Sequence, residues 1–163
     1  MSVVGRTNSG KTTLIEQLIP ALARRGCRVA TIKHHHHGDF QADHPGKDSW
    51  RHAQAGAIAT ALAGTHRVAV FQALDAELTP DQIACLFVGR VDVILTEGYK
   101  DALYPKIEVV RVAQGAEPLC RKEDQLIALV TDGPWDLGVP RFGLEATEAL
   151  GEHLIAQLLS GSR

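Results

Sequence analysis

The sequence has few of the features that mark secreted, membrane-embedded or nucleic-acid-binding proteins. Its three cysteines form no C-x-x-C pair, which argues against a disulfide framework or a zinc ribbon and favours reduced thiols in a cytoplasmic protein. No apolar run approaches the roughly 20 residues needed to cross a bilayer, and no secretory signal is recognisable. The 17 basic and 19 acidic residues give a net charge of −2, so composition gives no electrostatic reason to expect nucleic acid or an anionic membrane as a partner.

The length of 163 residues predicts a single domain, residues 1–163, with a sizeable core. Apolar runs typical of strands alternate with runs at helical spacing, which predicts an α/β fold with a mostly parallel central sheet flanked by helices. Helices are expected at residues 11–25, 46–56, 79–89 and 144–159, and strands at 28–34, 91–95, 106–112 and 125–130. Two short apolar runs, 57–62 and 67–74, would be a hairpin or consecutive strands of one sheet, and 106–112 alternates like a half-exposed strand.

The strongest motif lies at residues 5–12, which read Gly-Arg-Thr-Asn-Ser-Gly-Lys-Thr and fit the phosphate-binding P-loop, G-x-x-x-x-G-K-[ST]. A short strand precedes it and a helical pattern follows. Its glycines let the backbone N–H groups approach phosphate oxygens. Lys11 is placed to reach the β- and γ-phosphates and the Thr12 hydroxyl to hold Mg²⁺. We therefore expect the nucleotide to be bound by Gly5, Asn8, Ser9, Gly10, Lys11, Thr12 and Thr13.

A P-loop also needs an acidic residue that holds or orients Mg²⁺, at the end of a neighbouring buried strand. Glu97 follows the apolar run 91–95, so its carboxylate would lie near Thr12 and bind the metal directly or through water. Asp92 stands at the start of that strand and would lie at the wrong edge of the sheet. We assign the catalytic roles to Lys11 and Glu97; Asp39 and Asp48 are weaker carboxylate candidates.

Further candidates lie in the polar segment that follows the second predicted strand. His34 ends that strand, at the edge where open α/β sheets bind ligands. On the short helix predicted at residues 46–56, Lys47 and Arg51 would present positive charge to a phosphate. The alternative is an ordinary polar surface helix. The candidates for phosphate or substrate binding are His34, Lys47, Asp48 and Arg51.

Four consecutive histidines, residues 34–37, invite a metal-binding interpretation. His34 and His37 have a spacing found in metal sites, but a closed structural zinc site needs four ligands, and no matching Cys/His group follows. We interpret the run as polar loop residues near the phosphates. A metal-delivery GTPase that carries nickel or zinc on this run is an open alternative.

Base recognition has the weakest signal, because the guanine signature N-K-x-D is absent. Asp132 comes just after the predicted strand at 125–130 and would offer a carboxylate to the N1–H and N2–H₂ edge of guanine. A turn-forming role before Gly133-Pro134 is the alternative.

Taken together, these segments resemble the molybdopterin-guanine dinucleotide biosynthesis adapter proteins of the MobB type. The resemblance covers most of the chain, in order, although the first strand is shorter than it implies. Two stretches, Pro-Gly-Lys-Asp-Ser-Trp-Arg and Glu-Gly-Tyr-Lys, are far more specific than the P-loop alone. The resembling segments are residues 5–13, 32–34, 37–38, 45–52, 55–56, 96–100 and 105–111.

The resemblance implies a P-loop NTPase fold and a GTP-binding, Mg²⁺-dependent protein with weak GTPase activity. It would assist the guanylyltransferase (MobA type) that attaches GMP to molybdopterin, and would also meet molybdopterin-handling proteins. Family members are homodimers whose strands combine into extended sheets. A small-molecule kinase is the alternative from another class. It would use residues 44–52 as its acceptor site with Asp48 as the base, although no arginine-rich lid segment is recognisable.

Overall fold

The computed structural model describes residues 1–35, 43–115 and 117–160. The chain forms two compact units, Met1–His34 with Pro80–Arg163, and His35–Thr79. The helices are α1 (Lys11–Ala23), α2 (Asp48–Gln54), α3 (Pro80–Ala84) and α4 (Thr147–Ser160). The strands are β1 (Ser2–Val4), β2 (Val29–Lys33), β3 (Ala59–Ala63), β4 (Val68–Gln72), β5 (Val93–Glu97), β6 (Lys106–Val110), β7 (Leu126–Thr131) and β8 (Arg141–Phe142).

The first unit is built on a six-stranded sheet in the order β2-β5-β1-β6-β7-β8. Every pairing in it is parallel, and the prediction of a mostly parallel sheet flanked by helices is confirmed. Helix α1 packs against α4, where a side chain on Gly151 would lie 3.6 Å from Ala21 Cβ. The core between helices and sheet is apolar: Val3, Leu14, Leu18, Leu22, Leu95, Ile107, Val109, Val130, Leu150 and Leu154.

The expected half-exposed strand at residues 106–112 is wrong, because every residue of β6 is buried. Lys106 is only 3% exposed, and its ammonium group donates to the carbonyl oxygens of Ala102 at 2.7 Å and Asp124 at 2.8 Å. A buried charge is tolerated only when it is fully hydrogen-bonded. The alternation in the sequence thus reflects partnered polar groups inside the fold, not a face turned to water.

Glu108 is the second buried polar residue of β6, at 1% exposure. Its carboxylate accepts hydrogen bonds from the backbone N–H groups of Leu119 at 2.6 Å and Cys120 at 2.9 Å. Burial raises the pKa of Glu108, and these two bonds partly oppose that rise. The carboxylate therefore fixes the segment that links β6 to β7 against the sheet.

The second unit contains α2 and a hairpin in which β3 pairs antiparallel with β4, so the hairpin interpretation of the two apolar runs is confirmed. Register places Val68 and Val70 opposite Ala63 and Ala61. The two valines are 66% and 61% exposed, although an isolated two-stranded hairpin needs further packing to be stable. None of the helices in the described part of the chain is long and apolar enough to cross a membrane.

Parallel pairing brings the carboxyl ends of the strands of the first unit to one edge of the sheet. β1 lies between β5 and β6, so the loop that follows β1 has Glu97 on one side and Arg111 on the other. Asp92 precedes β5 and lies at the opposite edge, where Arg28 binds it at 2.9 Å. The sheet therefore separates the two carboxylates as the sequence predicts.

Candidate functional site

The P-loop, residues 5–12, connects β1 to α1 and depends on backbone conformations that suit glycine. φ is +142° at Gly5 and +99° at Gly10, and Asn8 also has a positive φ of +60°. A side chain on Gly5 would place its Cβ 2.5 Å from the carbonyl oxygen of Val109, closer than atoms can approach. Gly5 therefore allows the loop to lie directly against β6.

The N-terminus of α1 faces the loop with its amide groups free for a ligand. The first intrahelical bond runs from Leu14 N–H to Gly10 O at 2.9 Å, and no side chain caps the helix. The amides of Lys11, Thr12 and Thr13 accordingly have no acceptor within the helix. Such N–H groups, together with the helix dipole, form a ready anion site.

Lys11 folds back over the same loop. Its ammonium group donates to the carbonyl oxygens of Gly5 at 3.1 Å and Arg6 at 2.8 Å. Desolvation lowers the pKa of Lys11; nearby Glu97 opposes this shift and nearby Lys33 adds to it. The result is a partly desolvated cation at the centre of the loop, where its attraction for an anion is less screened by water.

Thr12 and Glu97 form the predicted pair at this edge of the sheet. The Thr12 hydroxyl lies 3.1 Å from each carboxylate oxygen of Glu97, and Lys33 Nζ lies 3.4 Å from Glu97 Oε1. Hydroxyl and carboxylate oxygens are ligands that Mg²⁺ uses beside phosphates and water. The donor set thus fits magnesium, with Glu97 only 15% exposed.

Ser9 adds a polar atom that the fold itself does not use. The residue is 1% exposed, and its hydroxyl has no hydrogen-bond partner among the described residues. A buried polar group without a partner costs free energy. An orphaned hydroxyl within the P-loop therefore supports the assignment of this loop to ligand binding.

His34 lies beside Glu97 through the backbone. Its N–H donates to Glu97 O at 3.1 Å, and its ring stacks on Tyr99 with the ring centroids 4.6 Å apart. Tyr99 holds a positive φ of +56°, which turns the chain after β5. The structure therefore brings His34 to the edge that carries Glu97, with its ring packed on an aromatic neighbour.

Asp132 follows β7 at the same edge and is exposed. Its Oδ1 accepts a hydrogen bond from Val112 N–H at 2.8 Å. The carboxylate therefore links the end of β7 to the segment after β6 through one of its two oxygen atoms.

Sequence reasoning missed two residues that hold the P-loop from outside. Arg111 Nε donates to Ser9 O at 3.1 Å, and Gln114 Nε2 donates to Asn8 O. Arg111 comes directly after β6, so the rule that selected Glu97, a polar residue at a strand's carboxyl end, would also have selected it.

Lys47, Asp48 and Arg51 belong to the second unit, on and just before α2. Arg51 Nη1 lies 3.7 Å from Asp48 Oδ1, with both side chains largely exposed. Each charge partly offsets the other, and an exposed pair of this kind contributes little stability. The positive charge expected from Lys47 and Arg51 is thus reduced by a neighbouring carboxylate.

The histidine-run and Asp39 hypotheses rest partly on residues outside those the structure describes, namely His36, His37 and Asp39. Within residues 1–35, 43–115 and 117–160, no three His, Cys, Asp or Glu side chains converge into a metal-binding group. The metal-delivery hypothesis therefore gains no support from the described part of the chain.

The chain is an α/β protein with the P-loop NTPase fold. Its sheet is parallel, a P-loop and an uncapped helix follow β1, and an acidic residue ends the neighbouring strand β5. The family model described as "Molybdopterin guanine dinucleotide synthesis protein B" (MobB) matches residues 1–132. This confirms the resemblance drawn from the sequence. The chain belongs to the MobB family.

Two relatives and one solved structure illustrate the similarity. The molybdopterin-guanine dinucleotide biosynthesis adapter protein of Haemophilus influenzae is 37% identical over 138 residues, 84% of this chain and 76% of the relative. The protein of the same name from Escherichia coli K12 is 35% identical over 158 residues, 91% and 87% of the two chains. The crystal structure of a MobB protein homolog from Bacillus stearothermophilus aligns with a TM-score of 0.69 at 28% identity and covers 98% of this chain and 97% of that one.

Proposed function

We propose that this protein is a GTP-binding adapter of molybdopterin guanine dinucleotide biosynthesis, with at most slow GTPase activity. It would assist the guanylyltransferase that attaches GMP to molybdopterin, and act in the cytoplasm. The observation that carries the proposal is the uncapped N-terminus of α1, with Lys11 folded over the loop and Thr12 paired with Glu97. Family membership supports the pathway, because relatives bear the adapter name.

The P-loop residues divide the work of phosphate binding. The backbone amides of residues 10–13 would donate hydrogen bonds to phosphate oxygens. The Lys11 ammonium group has three donors and uses two of them on the carbonyl oxygens of Gly5 and Arg6, so the third would bind a phosphate oxygen. Thr12 and Glu97 would hold Mg²⁺, which neutralises charge on the phosphates when bound. Asn8 and Ser9 form the remaining part of the loop that would surround the phosphates.

Slow hydrolysis follows from the residues near the phosphate site. Efficient P-loop GTPases orient the attacking water with a glutamine and stabilise the transition state with an arginine. Here Gln114 and Arg111 are bound to loop carbonyl oxygens, so these two side chains are already engaged. A rate well below roughly 10 s⁻¹, the typical enzyme value, is expected for the protein alone.

Asp132 is the proposed guanine contact. One oxygen binds Val112 N–H, which would orient the carboxylate so that the other accepts from the N1–H and N2–H₂ groups. In Asp132→Asn, the amide oxygen can still serve Val112, but the second position becomes an NH₂ donor. This variant should lose its preference for GTP over ATP and gain affinity for xanthosine triphosphate, whose base carries an oxygen in place of the 2-amino group.

A homodimer is the proposed assembly. Val68 and Val70 share one face of the β3–β4 hairpin and are more than half exposed, and exposed apolar faces of this kind mark interaction sites. Replacing both valines by Lys should yield monomers in light scattering after size exclusion. Val88→Lys is the matched control, because Val88 is 78% exposed but lies in the first unit. A dimer that survives the double substitution would exclude this face of the hairpin as the dimer interface.

The central experiment is calorimetric titration with GTP, ATP and GDP, with and without Mg²⁺, beside Lys11→Ala and Asp132→Asn. Magnesium-dependent binding that prefers GTP and weakens roughly tenfold or more in Lys11→Ala, the scale of a lost charged hydrogen bond, would support the proposal. Tighter binding of ATP than of GTP would contradict the guanine assignment. A folded protein that binds none of the three nucleotides would refute the proposal as a whole.

A further inference from the structure

Two side chains from outside the P-loop form hydrogen bonds to its backbone. Arg111 Nε and Gln114 Nε2 donate to the carbonyl oxygens of Ser9 and Asn8. Both donors come from the single turn that follows β6. Within this turn, Gln114 N–H donates a hydrogen bond to Arg111 O at 3.2 Å. Two consecutive peptide groups of the loop are therefore fixed from the same short segment.

The geometry of the peptide bond gives these contacts a direction. In a planar trans peptide, the carbonyl oxygen and the N–H of the next residue point in opposite directions. Holding the carbonyl of Ser9 with Arg111 therefore turns Gly10 N–H the other way. Holding the carbonyl of Asn8 turns Ser9 N–H in the same manner, and that group closes the loop onto Arg6 O at 3.2 Å.

Arg111 is also packed directly on the loop. A side chain on Gly10 would place its Cβ 3.0 Å from Arg111 Nη2 and 3.2 Å from Nε, so the guanidinium lies against the Gly10 backbone. The segment is itself anchored, since Val112 N–H donates to Asp132 Oδ1 at 2.8 Å. The segment that carries Arg111 is thus hydrogen-bonded to the end of β7 through Val112 and to the P-loop through Arg111.

We propose that Arg111, assisted by Gln114, is a positioning residue that fixes the direction of the P-loop amide groups before any ligand binds. The phosphate-binding part of this inference rests on the proposed function. The positioning part concerns the nucleotide-free protein and can be tested without a nucleotide. Arg111 acts through the Ser9–Gly10 peptide and makes no phosphate contact.

Two substitutions of Arg111 separate its hydrogen bond from its charge. In Arg111→Gln, the amide nitrogen stands at the same number of bonds from Cα as Arg Nε and can donate to Ser9 O without a positive charge. Arg111→Met has a similar length and no donor. Gln114→Met removes the second donor. Arg141→Met is the control, because Arg141 also donates to a backbone carbonyl, that of Gly133, from the edge strand β8.

The first measurement is hydrogen exchange of the amides of residues 5–13 in the nucleotide-free protein, read at Ser9, whose N–H donates to Arg6 O within the loop, with thermal unfolding recorded for each variant. Arg111→Met should speed exchange in this segment roughly tenfold, as expected when a local hydrogen bond is lost. Arg111→Gln should remain near the wild-type rate, Gln114→Met should lie between them, and Arg141→Met should leave the segment unchanged. The unfolding temperatures show whether a variant has lost stability as a whole.

The second measurement is GTP affinity for the same variants. Arg111→Met should weaken binding by roughly tenfold, with most of the affinity restored in Arg111→Gln. Weaker binding with unchanged exchange, or no rescue by Gln, would overturn the proposal in favour of direct contact between the guanidinium and phosphate. Equal acceleration of exchange in Arg141→Met would overturn it in favour of general loosening. Accelerated exchange in a protein that binds no nucleotide would uphold the positioning role and refute the proposed function alone.

Discussion

The Thr12 hydroxyl lies equidistant, at 3.1 Å, from the two carboxylate oxygens of Glu97. The two residues are 85 positions apart in the chain, and only the pairing of β1 with β5 brings them together. This pair of oxygen-bearing side chains is the proposed magnesium site.

Glu97→Gln keeps the shape of the side chain but removes its negative charge. We expect the magnesium-dependent part of nucleotide binding to weaken by roughly 1.5–3 kcal/mol, the range for interactions with charged groups. Calorimetry with and without Mg²⁺ measures it. Asp92→Asn is the control, since Asp92 binds Arg28 at the other edge of the sheet. A Glu97→Gln protein that responds to Mg²⁺ like the wild type would exclude Glu97 from the metal site.

Lys33→Met tests the cation beside this carboxylate. Lys33 Nζ lies 3.4 Å from Glu97 Oε1 and is 64% exposed, so it offsets the charge that Mg²⁺ would need. Because an exposed ion pair contributes at most about 1 kcal/mol, the Mg²⁺ concentration for half-maximal nucleotide binding should fall by no more than roughly fivefold. An unchanged midpoint with weaker overall affinity would instead indicate that Lys33 contacts phosphate.

Glu108→Ala tests the buried carboxylate of β6. The substitution leaves Cys120 N–H without an acceptor in the interior, and Leu119 N–H without one at a partly buried position. Each buried unpaired group costs about 1–3 kcal/mol, so the free energy of unfolding should fall by at least that amount in urea titration. Glu123→Ala, at an exposed position, provides the comparison. Equal stabilities for the two variants would contradict a structural role for Glu108.

Asp92 gives a pH dependence with a defined sign. Hydrogen bonds from the Arg28 side chain and backbone hold the pKa of Asp92 at about 2, below its ordinary 3.8. A depressed pKa means stability that is present above pH 3.8 and lost as the pH falls towards 2. The difference in unfolding temperature between wild type and Asp92→Asn should therefore shrink through this interval. A difference that stays constant between pH 5 and pH 2, values that bracket the shift, would show that the ion pair contributes nothing.

Much of the site was predictable because motif and strand-end rules are local. The P-loop pattern located Lys11 and Thr12, and the apolar run before Glu97 placed its carboxylate at the correct edge. The same run placed Asp92 at the opposite edge, where Arg28 binds it. Each inference needed only the residues within one element and the rule that parallel strands end at a common edge.

The rest depended on partners far away in the chain. Lys106 and Glu108 alternate with apolar residues, but their partners at Ala102, Asp124, Leu119 and Cys120 turn them inward. The alternation of polar and apolar residues in a sequence does not reveal hydrogen bonds to other segments of the chain. Strand β8, with only Arg141 and Phe142, is too short to leave a pattern. The contacts of Arg111 and Gln114 with the P-loop cross more than 100 residues of sequence.

Lys11 binds the carbonyl oxygens of Gly5 and Arg6 before any phosphate is present. Its ammonium group therefore holds the loop backbone together and is also a candidate to bind an anion. Substitution of Lys11 removes both roles at once. The measured loss of affinity therefore combines a lost phosphate contact with a loosened loop backbone. The loss of affinity in such a variant is therefore larger than the free energy of the lysine–phosphate contact. The difference is the free energy that Lys11 contributes by holding the loop in its binding conformation.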